Sequence, residues 1–158
     1  MIKIGIISDT HGIVHPEIVE LINKCDIAIH AGDIVDMQVI KKLNPLQKVV
    51  AVQGNNDGHM ECFDEVETLD LPGGKLVVEH GHRHGHHEPC HDSLRSTYPD
   101  ARIIVYGHTH KQIIDESKKP LVINPGAAGE IRNYGSAKCL TIHIKSPEEW
   151  DIKSHKFN

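Results

Sequence analysis

Residues 2–33, IKIGIISDTHGIVHPEIVELINKCDIAIHAGD, decide the fold. The apolar run over 2–7 is too continuous for a half-exposed strand and reads as one buried on both faces. Pro16 stands where a helix can open, because the N–H it lacks is one the first helical turn leaves unpaired anyway. Ile18, Val19, Leu21 and Ile22 then form an apolar stripe that predicts a helix over about 16–24. A second strand comes next at 26–29. The pattern then repeats: Val35 to Leu43 carries apolar residues three and four apart, and 48–52 (KVVAV) supplies a third strand. Strand, helix, strand, helix, strand requires right-handed crossovers, so the N-terminal half is expected to form a largely parallel sheet.

Outward from this unit, Ile- and Val-rich runs recur at 75–79, 102–106, 121–123 and 139–144, with a weaker helical stretch at about 91–97. From 102 onward the runs are separated by turns at Ser117–Pro120, Asn124–Gly126 and Asn133–Ser136. That spacing predicts antiparallel strands and a second sheet packed on the first. No repeat or linker interrupts the chain, so residues 1–158 are read as a single domain, long enough to bury a proper core. A net charge of −5 argues against a nucleic-acid-binding module, which would carry the opposite sign. No stretch approaches the roughly 18 apolar residues of a membrane span, and the N-terminus lacks the features of a secretory signal. The cysteines (Cys25, Cys62, Cys90, Cys139) are scattered without a C-x-x-C pair and read as reduced thiols, which predicts a cytoplasmic protein.

The residues directly after each strand are more informative than the strands themselves. Asp9 and His11 stand after the first, and His30 and Asp33 after the second. Asn55, Asn56 and Asp57 stand after the third, His80 and His82 after the run at 75–79, and His108 and His110 after the run at 102–106. An aspartate after a strand is commonly a helix cap, and His30 alone reads as a packed, hydrogen-bonded residue. Recurrence at one end of five strands is a different matter, since ligands bind where strand ends converge. Asp9, His11, Asp33, Asn55, His80, His108 and His110 give seven donors, too many for one tetrahedral zinc. They suit two ions sharing a carboxylate, and imidazole, carboxylate and amide oxygen together suit manganese, iron, zinc or nickel. Two ions about 3.5–4 Å apart can activate a bridging hydroxide and clamp the oxygens of an in-line phosphoryl displacement. The segment His80–His91, HGHRHGHHEPCH, holds six of the fourteen histidines. Its residues from Arg83 on are read as a polar surface loop, the alternatives being a further metal site or a flap over the phosphate. Arg83 and Arg132 could each pair with a phosphate oxygen, but both read as surface residues.

The blocks Asp9-x-His11, Gly32-Asp33, Gly54-Asn55, His80-Gly81-His82 and Gly107-His108-Thr109-His110 resemble, in order, the five blocks of the calcineurin-like metallophosphoesterase superfamily. The similarity is to its small single-domain bacterial and archaeal phosphodiesterases, and the turn Asn124-Pro125-Gly126 extends it to most of the chain. The resemblance implies an α/β fold, a two-sheet α/β/β/α sandwich with mixed sheets and helices on the outer faces. It implies a phosphodiesterase acting on a small phosphoester, with two divalent ions: manganese first, then nickel, iron, zinc or magnesium. Asp9, His11, Asp33 and His110 would hold the first ion and Asp33, Asn55, His80 and His108 the second. Asp33 would bridge, and a metal-bridging hydroxide would be the nucleophile. A eukaryotic retromer subunit uses a similar fold mainly for protein contacts, so a non-catalytic scaffold is the rival reading; all seven donors being present favours the hydrolase. A homo-oligomer is compatible with the sequence.

One position departs from the family pattern. Many members carry a histidine after the Gly-Asn, proposed to protonate the leaving group, and the small phosphodiesterases usually have cysteine; this chain has Asn56. An amide can donate a hydrogen bond but cannot serve as a general acid near neutrality. His82 is the nearest remaining candidate acid, the bland alternative being that it orients a neighbouring ligand, and His30 is the second candidate. Without a positioned acid, rate should fall steeply as the leaving group becomes more basic. The expected outcome is rapid turnover of p-nitrophenyl diesters and slow turnover of alkyl diesters; equal rates on the two would refute it.

Overall fold

The apolar run that opens the chain is the central strand of a sheet. In the computed structural model, which describes residues 1–158, β1 (Ile2–Ile7) pairs in parallel with β2 (Ile27–His30), and β2 with β3 (Lys48–Ala51). The crossovers carry α1 (Pro16–Ile22) and α2 (Met37–Lys42). The chain then builds a second sheet from β4 (Val66–Leu71), β5 (Gly74–Glu79), β6 (Ile103–Val105), β7 (Ile113–Asp115) and β8 (Leu121–Asn124), with α3 (His91–Thr97) between β5 and β6. It returns through β9 (Ala137–Ser146) and β10 (Glu149–Phe157) to the first sheet. The strand orders are β10-β9-β1-β2-β3 and β4-β5-β6-β8-β7, both sheets mixed.

Register explains the packing. Ile4 lies opposite Ile27 and Ile142, and Ile6 opposite Ile29 and Leu140, so two apolar rows cross three strands on one face. They meet Leu76, Val78, Ile103, Val105 and Ile123 of the second sheet in the main core. The outer face of the first sheet, with Ile7, Ala28 and Ala51, packs on Ile18 and Ile22 of α1 and Val39 of α2. The outer face of the second sheet, with Ile104 and Val122, packs on Leu94 of α3. The four layers are therefore α/β/β/α, and β1, read as buried on both faces, is buried there from Ile4 to Ile7, whereas the edge strand β3 is only partly buried. No helix is long and apolar enough to cross a membrane.

Three expectations are corrected. The second helix starts at Met37 rather than Val35, because Val35 is left-handed (φ 71°) with its N–H bonded to Asp57, and Asp36 caps the helix by accepting from the Gln38 N–H at 2.9 Å. The C-terminal third is not simply antiparallel. β6 runs parallel to both β5 and β8: α3 crosses over from β5 to β6 like the first two helices, and β7 lies between β6 and β8 in the chain. β9 and β10 extend the first sheet instead of the second. Strands β4, β7 and β10 went unread in the sequence: each is an edge strand with a partly exposed, polar-interleaved pattern.

Since Ile6 is fully buried between the sheets, Ile6→Ala is expected to lower unfolding stability by about 2–5 kcal/mol in a denaturant titration. Leu46→Ala, at a largely exposed side chain, should stay within about 0.5 kcal/mol of wild type.

Candidate metal centre

The two sheets present the C-terminal ends of β1, β2, β3, β5 and β6 to one place. Asp9, His11, Asp33, His80 and His110 come together there as two triads of donor atoms, Asp9–His11–His110 and Asp9–Asp33–His80. Nε2 of His11 and Nε2 of His110 are 3.2 Å apart. Asp9 Oδ1 lies 3.5 Å from His110 Nε2 and 3.8 Å from His80 Nε2. Asp33 Oδ2 lies 3.4 Å from both His11 Nε2 and His80 Nε2, one imidazole from each triad.

Backbone conformation makes this convergence. Asp9, His11, Asp33, His108 and His110 all have φ between 47° and 72°, the left-handed region that non-glycine residues seldom adopt. Such strain persists only where surrounding structure over-determines it, and it concentrates at functional sites. Two glycines leave room for the carboxylates. A Cβ on Gly107 would collide with Ser8 Oγ and lie 2.8 Å from Asp9 Oδ2, and one on Gly54 would collide with the Asp33 backbone N and Oδ1.

Asp9, His80 and His110 are each aimed by a neighbour. Asp9 Oδ2 accepts from Ser8 Oγ at 2.8 Å and from the His108 N–H at 3.0 Å, which leaves Oδ1 buried with no hydrogen-bond partner. His80 Nδ1 donates to the Ala31 carbonyl at 2.8 Å, so in the neutral imidazole Nε2 carries the lone pair, and it too is buried and unpartnered. His110 Nδ1 likewise donates to the Ile131 carbonyl at 2.7 Å. This is how metal-binding imidazoles are oriented. Two inward lone pairs without partners would cost free energy in a closed protein and fit divalent cations well.

Asn55 and His108 stand at the margin. Asn55 is exposed on the adjoining cleft, and His108 Nε2 donates to the His86 carbonyl. Asn56 serves Asp33 directly: its N–H donates to Oδ1 at 3.0 Å and its Nδ2 to Oδ2 at 2.9 Å. His82 is half-buried with an unpartnered Nδ1, its ring 6.2 Å from that of His108. His30 is excluded as a proton donor to substrate. It is fully buried, accepts from the Gly32 N–H and donates to Thr10 Oγ1, and burial depresses its pKa to about 3. The histidine-rich loop does not form a further metal cluster: its His84 bonds Glu79 and Ser93, while His86 and His87 line the cleft.

Sequence reading passed over two supports. Asp57, fully buried, accepts N–H bonds from Ile34, Val35 and Gly54 at 2.8–3.0 Å and ties the loops after β2 and β3 together. Its place in Asn55-Asn56-Asp57 was visible, its role was not. Ser8 could have been suspected only from its adjacency to Asp9.

Burial pushes the Asp9 carboxyl up to about 7 despite the opposing pull of His80. Burial also disfavours charge on Asp33 and His80. Their close approach and mutual attraction, with Asn56 assisting, nevertheless hold Asp33 well below the usual carboxylate range and carry His80 up to about 9. Burial keeps His110 down at about 4 and His11 below its ordinary value, so both are neutral ligands at pH 7. Before a cation binds, protons therefore sit on His80 and partly on Asp9, and a cation must displace them. Calorimetric titration with Mn²⁺ is expected to show affinity rising from pH 6 to pH 9 with protons released; pH-independent binding without release would contradict this.

Comparison with known proteins places the chain in a family. Residues 2–147 match the family model of the calcineurin-like phosphoesterase superfamily domain. A phosphodiesterase of Methanocaldococcus jannaschii is 33% identical over 143 residues, which cover 78% of this chain and 82% of that protein. A structurally characterised archaeal phosphodiesterase superimposes with a TM-score of 0.75 at 27% identity, covering 97% of this chain and 99% of that one. Wild-type Vps29 of Entamoeba histolytica, crystallised with zinc, shares the fold alone, with a TM-score of 0.76 at 18% identity and 99% coverage of both chains. Matched over most of its length, the chain belongs to the calcineurin-like phosphoesterase superfamily.

Proposed function

We propose that the chain is a two-metal phosphodiesterase that hydrolyses a small phosphoester. The observation that carries this reading is the pair of buried, unpartnered donors, Asp9 Oδ1 and His80 Nε2, inside a ring of imidazoles and carboxylates. In this reading Asp9, His11, Asp33 and His110 hold one ion and Asp33, Asn55, His80 and His108 the other, with Asp33 shared. Manganese suits that donor mixture. When bound, the ions would supply a water acidic enough to attack at neutral pH and positive charge for the phosphoryl oxygens.

The chain's own groups then have separate tasks. Ser8 Oγ, the hydroxyl beside Asp9, is buried and spent on that carboxylate, so it offers no nucleophile. Asn56 holds both Asp33 oxygens in place and is a positioning residue rather than an acid. His82, whose Nδ1 has no partner, is the imidazole best placed to hold a proton for the leaving oxygen. Burial first, then His80 and His108, lower its pKa, so the protonated form that could act as an acid is disfavoured. The Vps29 likeness, one of fold alone, fits the scaffold alternative, whereas strained backbone at five donor positions favours the hydrolase.

Hydrolysis of bis-p-nitrophenyl phosphate, tested with Mn²⁺, Ni²⁺, Mg²⁺ and Zn²⁺, is the direct experiment. Asp33→Ala is expected to cut kcat/KM more than about a hundredfold while the far-ultraviolet circular dichroism stays unchanged. A wild-type protein inactive with every metal would move the reading to the scaffold.

A further inference from the structure

We infer that the cleft beside the metal ligands is a built subsite for a planar ring carried on a phosphodiester, as a nucleotide ester carries its base. Tyr134 would be the stacking platform, and Lys111 and Arg132 the groups that hold the anion. The inference rests on the phosphodiesterase reading and adds a substrate class to it.

The cleft holds about 450 Å³ and opens directly from the site, since Asn55 and His108 line it together with Lys111, Arg132 and Tyr134. Its one carboxylate is Glu88. In a chain of net charge −5 this wall is locally cationic. Every lysine and arginine ion pair in the structure uses Arg83, Arg95, Lys118 or Lys145. Lys111 and Arg132 therefore keep their charges free for an anion, and Arg suits a phosphate's paired oxygens.

Tyr134 is 56% exposed although it is a large aromatic side chain, and Lys111 Nζ stands 5.6 Å from its ring centroid. An exposed ring beside a cation presents a face on which a second flat ring can stack. The segment that carries it is rigidly built. Arg132 and Tyr134 are left-handed, with φ of 47° and 54°. Lys138, 8% exposed, donates its ammonium to the carbonyls of Asn133 and Ser136 at 2.7 and 3.2 Å. Asn133 donates to the Gly129 carbonyl and accepts from the Gly135 N–H, each at 3.2 Å. The same segment supplies the Ile131 carbonyl that orients His110. One pinned loop thus sets a metal-ligand imidazole and projects Arg132 and Tyr134 into the adjoining cleft, which fixes the distance between reacting phosphorus and ring.

The test compares two diesters with the same leaving group, thymidine 5′-(p-nitrophenyl phosphate) and methyl p-nitrophenyl phosphate, with Mn²⁺ present. The wild type is expected to favour the nucleoside ester by about tenfold in kcat/KM, Tyr134→Ala to abolish the preference and Tyr134→Phe to keep it. Equal kcat/KM in the wild type, or a preference untouched by Tyr134→Ala, overturns the inference. A second measurement needs no turnover: calorimetric binding of thymidine 5′-monophosphate and of methyl phosphate to the Mn²⁺-loaded protein. Thymidine 5′-monophosphate should bind about tenfold more tightly, and Tyr134→Ala should erase that advantage. If neither ester is hydrolysed but this Tyr134-dependent binding is seen, the phosphodiesterase reading fails and the subsite stands. If the esters are hydrolysed but the two phosphates bind equally, the subsite fails and the phosphodiesterase stands.

Discussion

Two carboxylates buried side by side among imidazoles are the constraint around which this molecule is organised. Asp9 is wholly inaccessible and Asp33 nearly so, and a buried charge is costly unless something compensates it. The compensation here is partial. Asp33 gains the Asn56 amide and the attraction of His80, whereas Asp9 keeps one oxygen bare. A core optimised only for stability would not leave Asp9 Oδ1 and His80 Nε2 facing each other at 3.8 Å without an aligned hydrogen bond. The arrangement is stable on its own only because the sheets on either side hold it.

Much of the remaining structure maintains that arrangement. The Ala31 and Ile131 carbonyls fix which nitrogen of His80 and His110 faces inward. Asp57 sews together the loops after β2 and β3, and His30 braces the segments after β1 and β2 through Thr10 and Gly32. Most of these interactions join pieces 20 or more residues apart, so the site is a property of the whole sandwich rather than of any loop. Strain fits the same account: left-handed backbone at five donor positions lowers stability locally, and the main core between the sheets is large enough to tolerate it.

The fold was legible where burial is two-sided. IKIGII at 2–7 and IAIH at 27–30 have almost no polar interruptions, and their partners could be inferred from the helices between them. EWDIKSHKF at 149–157 was not legible, because an edge strand alternates polar and apolar residues over a period that short loops also show. The site divided in the same way. Asp9, His11, Asp33, His80 and His110 were found because each stands just beyond a buried strand. Asp57 and Ser8 escaped because a carboxylate or hydroxyl that binds backbone N–H groups or a neighbouring acid leaves no periodic trace.

By itself the sequence determined that carboxylate, amide and imidazole side chains gather at one edge of the sheets, because chain order and the strand period fix where they stand. Only the tertiary structure decided how they meet. It set His30 inward as a neutral brace and spent Asn56 on Asp33. It turned His108 Nε2 to the His86 carbonyl and carried Arg132 and Tyr134 from a distant turn to the cleft. The physical reason is that a side chain's direction, and the partner it finds across the two sheets, depend on φ values and packing contacts between segments that the chain order leaves far apart.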